Sequence, residues 1–96
     1  MSLVAAQRNV CLRMREIRQR LSLTQEDFDL EPDGVSVRQL SDIENLKQIN
    51  VELKSLLSFC KIAGIHPKEL FEFDIPWEYR SLPKRTSDRR SKKEQK

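Results

Sequence analysis

The sequence predicts an all-α fold, a compact five-helix bundle, from three observations. Apolar residues recur three and four positions apart in successive short stretches, which is the spacing of one helical face. The chain has only two glycines and four prolines, too few for the repeated turns of a β sandwich or barrel. With 96 residues, 38 % hydrophobic and 34 % charged, it can close only a small core, which suits a fold built from local contacts.

The first helix is predicted around Val10, Met14, Ile17 and Leu21, one face at spacings of four, three and four, with arginines on the other faces. Ser22 and Leu23 break it. Thr24-Gln25-Glu26-Asp27 then reads as a helix start, a hydroxyl cap followed by acids where the helix dipole favours them, with Phe28 as the apolar anchor of the second helix. Glu31-Pro32-Asp33-Gly34 stops that helix. Ser36 caps a third, short helix from Val37 to Asn45, with Leu40 and Ile43 inward and Arg38, Gln39, Asp42 and Asn45 outward. Asn50 is the expected cap of a fourth helix carrying Leu53, Leu56, Leu57, Cys60 and Ala63, the most apolar segment and so the expected central one. Gly64 ends it and Pro67 opens a fifth, short helix with Leu70 and Phe71. The segment holding Ile75, Trp77, Tyr79 and Leu82 is too interrupted by proline for a helix. From Lys84 onward there is no apolar residue. The expected organisation is a flexible N-terminus at 1–8, a helical domain at 9–73, a packing or dimerisation segment at 74–83, and a disordered basic tail at 84–96.

Charge placement says more than the net +3. Residues 74–96 hold eight Lys/Arg against four Asp/Glu, while residues 1–73 hold ten against eleven. A basic tail suits a phosphate-bearing partner, and it also suits solubility. Cys11 and Cys60 lack metal-binding spacing and read as small apolar residues in a reducing compartment. His66, ahead of Pro67, reads as a turn or helix-start residue rather than a catalytic group. No metal site, cofactor loop, signal peptide or membrane-length apolar run is visible, so the expectation is a cytoplasmic non-enzyme without cofactors. Two short helices joined by a turn, behind a basic first helix, suggest DNA binding, because an α-helix fits the major groove and its polar side chains can read base edges there.

The residues resemble the Cro/phage-repressor (Xre-type) helix-turn-helix family from about Val10 to Phe71. The resemblance is carried by Met14-Arg15-Glu16-Ile17-Arg18 with Leu23-Thr24-Gln25-Glu26, by Gly34 through Glu44, and by Leu53 through Ile65 with Glu69-Leu70-Phe71. It implies a lambda-repressor-like bundle with the helix-turn-helix at about residues 24–45. It further implies that Gln25 holds a phosphate and buttresses the reading side chains, and that Val37, Arg38 and Asp42 reach bases. Asn45 and Lys47 match phosphate-contacting positions, and Ser36 and Gln39 complete the expected DNA-binding set. Arg38 is the strongest base reader of these, since its fork matches guanine O6 and N7. Arg18 and Glu44 match a structural ion pair. The sequence departs from the pattern in a longer turn through Glu31-Pro32-Asp33, in Asp29 where a small residue is usual, and in Leu46 where glycine is usual.

The expected function is a DNA-binding transcriptional regulator, a repressor, acting on double-stranded DNA as a homodimer. The alternatives are a protein-interaction module that keeps the bundle but not DNA binding, and a DNA-binding antitoxin or anti-repressor type that does both, its tail gripping a protein partner. Phe73, Ile75, Trp77 and Tyr79 are the candidates for the dimer surface; the other reading folds Ile75 and Trp77 back over helices 1 and 5.

Overall fold

The computed structural model describes residues 1–30, 32–74 and 76. Helix α1 spans Leu3–Arg20, α2 spans Val37–Glu44 and α3 spans Leu53–Ala63. Two short 3₁₀ helices, Glu26–Asp29 and Pro67–Phe71, complete the order α1, 3₁₀, α2, α3, 3₁₀, and there is no strand among the described residues. The protein is all-α. The second and fifth expected helices are single 3₁₀ turns, so the α-helices number three among the described residues.

Each helix start has a local cause. Ser2 Oγ accepts the Ala5 N–H at 3.1 Å and starts α1, so the segment 1–8, expected to be flexible, is helical from Leu3. Ser36 Oγ accepts the Gln39 N–H at 3.1 Å and starts α2 as its sequence predicts. The Thr24 hydroxyl accepts the Asp27 N–H at 3.2 Å, while Asp27 Oδ2 accepts the Thr24 N–H at 2.7 Å. This reciprocal box fixes one turn around Phe28, and the Pro32-Asp33-Gly34 run follows too soon for a second. Asn50 is not the cap of α3. Ile49 and Val51 pack against the core first, Glu52 is the extended residue before the helix, and Asn50 Oδ1 instead accepts from Gln7 Nε2 at 3.5 Å.

All three α-helices end in the same way, through a residue in the left-handed region. These residues are Ser22 (φ 56°), Leu46 (φ 61°) and Gly64 (φ 71°). In each case the next N–H reaches back to a carbonyl in the last turn: Leu23 to Arg18 at 3.1 Å, Lys47 to Asp42 at 2.8 Å, and Ile65 to Cys60 at 3.0 Å. Only one of the three is glycine. Leu46 therefore keeps the backbone shape that its residue type disfavours.

The core comprises Cys11, Met14 and Ile17 from α1, Phe28 from the first 3₁₀ turn, Val35 from the following loop, Leu40 and Ile43 from α2, Phe59 and Cys60 from α3, and Leu70. Phe28 and Phe59 stack with ring centroids 4.7 Å apart and planes 4° apart, joining the first 3₁₀ turn to α3. Some expected core positions differ. Leu21 lies outside, because the chain leaves α1 at Arg20 and Leu23 turns back against the core in its place. On α3 the inward face is Leu56, Phe59, Cys60 and Ala63, and Leu53 and Leu57 are exposed. Phe71 is exposed while its neighbour Leu70 is buried. Ile75, Trp77, Tyr79, Leu82 and the basic tail lie outside the described residues. Among the described residues no helix is long and apolar enough to cross a membrane.

Candidate nucleic-acid interface

The candidate site is built on α2, whose inner face holds it in place. Leu40 and Ile43 enter the core, and Glu44 is 3 % exposed. Arg18 grips Glu44 through two bonds, Nε to Oε2 at 2.6 Å and Nη2 to Oε1 at 2.8 Å, and its Nη1 donates to the Leu23 carbonyl at 2.8 Å. Gln25 Nε2 donates to the same Glu44 carboxylate at 3.3 Å. One buried carboxylate thus joins α1, the start of the first 3₁₀ turn and the end of α2. The pair is electrically closed, and Glu44 holds the Arg18 guanidinium above its ordinary pKa.

With that face anchored, Arg38, Asp42 and Asn45 fall at spacings of four and three along the outer side of α2. Arg38 and Asn45 are exposed and Asp42 is half-buried. Asn45 Nδ2 donates to Ser41 Oγ at 3.3 Å, which orients its amide along the helix. Lys47 follows at the exposed helix exit. Among the described residues, neither Arg38 nor Lys47 forms an ion pair. Helical spacing therefore brings Arg38, Asp42 and Asn45 to one side, with Lys47 exposed beyond the left-handed Leu46. Ser36 is exposed at the helix start and Val37 is half-buried beside it.

Two of the expected site residues are engaged inside the protein. The Gln25 amide is on Glu44, the carboxylate of the Arg18 pair, and makes no hydrogen bond to Val37, Arg38 or Asp42 among the described residues. The Gln39 amide donates to Ser55 Oγ at 3.1 Å, tying α2 to α3. Ser55 lies 16 positions away and its part in fixing α2 has no local sequence signal. Asp29, the unusual acid, is exposed at the end of the first 3₁₀ turn. The connection between these elements runs over residues 30–36.

The surroundings are mixed in charge. Glu26, Asp29 and Asp33 are exposed on the segment before α2, and Leu30 among them is 79 % exposed. No group of three or more His, Cys, Asp or Glu that could hold a metal ion occurs among the described residues. Comparison with family models, with curated proteins and with solved structures returns no match.

Proposed function

We propose that this chain is a cytoplasmic, sequence-specific DNA-binding transcriptional regulator, a repressor that places α2 in the major groove and acts as a homodimer. In this reading the three α-helices and two 3₁₀ turns are a lambda-repressor-like five-helix bundle with its two shortest helices tightened. The observation that carries the reading is the outer stripe Arg38–Asp42–Asn45, continued by Lys47, on a short helix whose inner face is fixed by Leu40, Ile43 and the Arg18–Glu44 pair. A groove-reading helix needs both properties: polar side chains outward and an orientation that does not drift. Arg38 reads a guanine, Asn45 and Lys47 hold phosphates, and Gln25 braces the helix through Glu44. Selection of bound sequences from a random duplex pool tests this. Enrichment of a two-fold symmetric site supports it, and failure to enrich any sequence overturns it.

A second reading, a protein-interaction module that keeps the bundle, is favoured by one observation. The exposed acids Glu26, Asp29 and Asp33 around the exposed Leu30 repel phosphate and suit a basic partner surface. Salt-sensitive duplex binding separates the two: the regulator binds DNA at about 50 mM salt and loses affinity steeply above it, whereas the module does not bind.

A further inference from the structure

The chain leaving α2 runs antiparallel along one flank of α1, and three contacts fix it there. Arg18 holds Glu44. Cys11 Sγ lies 3.7 Å from the Gln48 carbonyl oxygen and 3.9 Å from that of Ile49. Gln7 Nε2 donates to Asn50 Oδ1 at 3.5 Å. Arg8, Cys11, Arg15 and Arg18 recur at spacings of three, four and three, which is one stripe of α1. Cys11 and Arg18 turn onto the segment 44–50, so Arg8 and Arg15, both exposed, border that segment from α1. Lys47 is exposed on the segment itself, between the residues that Arg18 and Cys11 touch. Among the described residues Arg8, Arg15 and Lys47 form no ion pair, whereas Arg13, Arg18, Arg20 and Lys54 do. The acids nearby are engaged or elsewhere. Glu44, the one acid in 44–50, is closed by Arg18 and Gln25. Asp42 is half-buried on α2, and Glu52 is exposed where α3 begins. Glu16 pairs with Arg13 at 2.8 Å on the other flank of α1. Asp29 and Asp33 lie on the chain that leads into α2 rather than out of it.

We propose that Arg8, Arg15 and Lys47 form a track for the phosphodiester backbone of duplex DNA, running from the exit of α2 along α1. The inference rests on the DNA-binding reading above and deepens it: it gives α1 a binding role and gives the docked duplex a direction. Arg8 and Arg15 stand about 10 Å apart along the helix axis. B-DNA carries one phosphate per ~1.7 Å of its own axis, so the two guanidinium groups meet separate phosphates. Each can hold its phosphate through paired N–H donors. The exposed acids Asp29 and Asp33 repel a phosphate strand from the entry side of α2, and the unpaired cations draw it to the exit side. A body with nearly balanced charge can therefore bind a polyanion along one edge.

Duplex affinity of the full chain, measured against salt from about 50 to about 200 mM on the selected site and on random duplex, tests the track. Arg8→Gln/Arg15→Gln weakens both duplexes alike, by about 10-fold at about 50 mM salt, and lowers the slope of log affinity against log salt by about 2. Its circular dichroism matches that of the parent, and it selects the same base sequence. Arg8→Lys/Arg15→Lys restores the parent slope. Arg20→Gln/Lys68→Gln removes the same charge from exposed positions on the other side of α1, where Arg20 meets Glu69, and keeps the parent slope. A glutamine variant at positions 8 and 15 with the parent slope overturns the track while leaving the DNA-binding reading in place. Equal losses in the two glutamine variants also overturn it, since net charge alone would then be acting. A parent that binds neither duplex overturns the DNA-binding reading, and the track with it.

Discussion

Glu44, buried eight residues into α2, accepts hydrogen bonds from Arg18 and Gln25 at the same time, and both partners come from chain segments that precede α2 by more than ten residues. The carboxylate has no exposed route to water once the pair forms, at 3 % exposure. Glu44→Ala leaves the Arg18 guanidinium without its partner in a mostly buried setting. The expected loss is about 3 kcal/mol of folding stability, measured by denaturant unfolding. Replacing both groups with apolar residues of similar size, Arg18→Met with Glu44→Leu, should recover most of it. A double variant as unstable as the single one would show that the pair contributes more than its own burial.

Arg38→Ala tests the proposed groove-reading role of α2 directly. Arg38 is exposed and makes no ion pair among the described residues, so the unfolding midpoint stays at the parent value. Affinity for the selected duplex falls by about 1–3 kcal/mol, and affinity for random duplex changes much less. Equal losses on both duplexes would reassign Arg38 to a phosphate contact.

The three left-handed helix exits separate backbone strain from packing. A Cβ added at Gly64 meets no atom within 4 Å, so any cost of Gly64→Ala comes from its φ of 71°. That cost is about 1 kcal/mol. At Leu46 the logic runs in reverse. Leu46→Gly relieves about 1 kcal/mol of strain and gives back about 0.4–1 kcal/mol through the freer unfolded chain. The variant should be at least as stable as the parent despite losing a leucine side chain. Thermal unfolding checks both, and a loss above about 1 kcal/mol at Leu46 would mean its side chain anchors the exit.

Burial pushes the Cys11 thiol above its ordinary pKa against a smaller lowering by a backbone hydrogen bond, and burial with the nearby Glu69 charge pushes Cys60 the same way. In the unfolded chain both ionise near pH ~8.5, while in the fold they stay neutral. Their contribution to stability is therefore fully present below about pH 8.5 and is lost as pH rises toward the raised folded values. Between about pH 8 and about pH 10, a Cys11→Ala/Cys60→Ala variant should lose less stability than the parent. Labelling of the native thiols should be slow until the protein unfolds.

Helix ends were legible where a side chain or backbone type acts locally. Ser36, Gly64 and Pro67 mark boundaries because a hydroxyl cap, a left-handed residue and a fixed φ each work within a turn. Asn50 misleads because its amide has a competing partner in Gln7, on a helix more than forty positions away. The inward face of α3 was ambiguous for a related reason. Leu53 and Leu57 fit helical spacing as well as Leu56 and Ala63 do, and what decides between them is the ring of Phe28 waiting for Phe59. Periodicity reports that a face is apolar, not which neighbour covers it. In the candidate site, the outward stripe followed from spacing, and the Arg18–Glu44 pair from resemblance. The Gln39–Ser55 bond could be read from neither, since it depends on how α3 crosses α2.

Helix α2 has eight residues. A free peptide of that length is almost entirely unfolded, because helices below about 12–15 residues rarely survive in water. Its shape is on loan from the rest of the protein: the Ser36 cap at one end, the Glu44 clasp at the other, and Leu40 and Ile43 between. Such an element has no partial state of its own, so its amides should exchange with solvent only when the whole domain opens, at the global free energy. The surface offered to a partner is consequently present in full or not at all, and any event that loosens α1 also erases it.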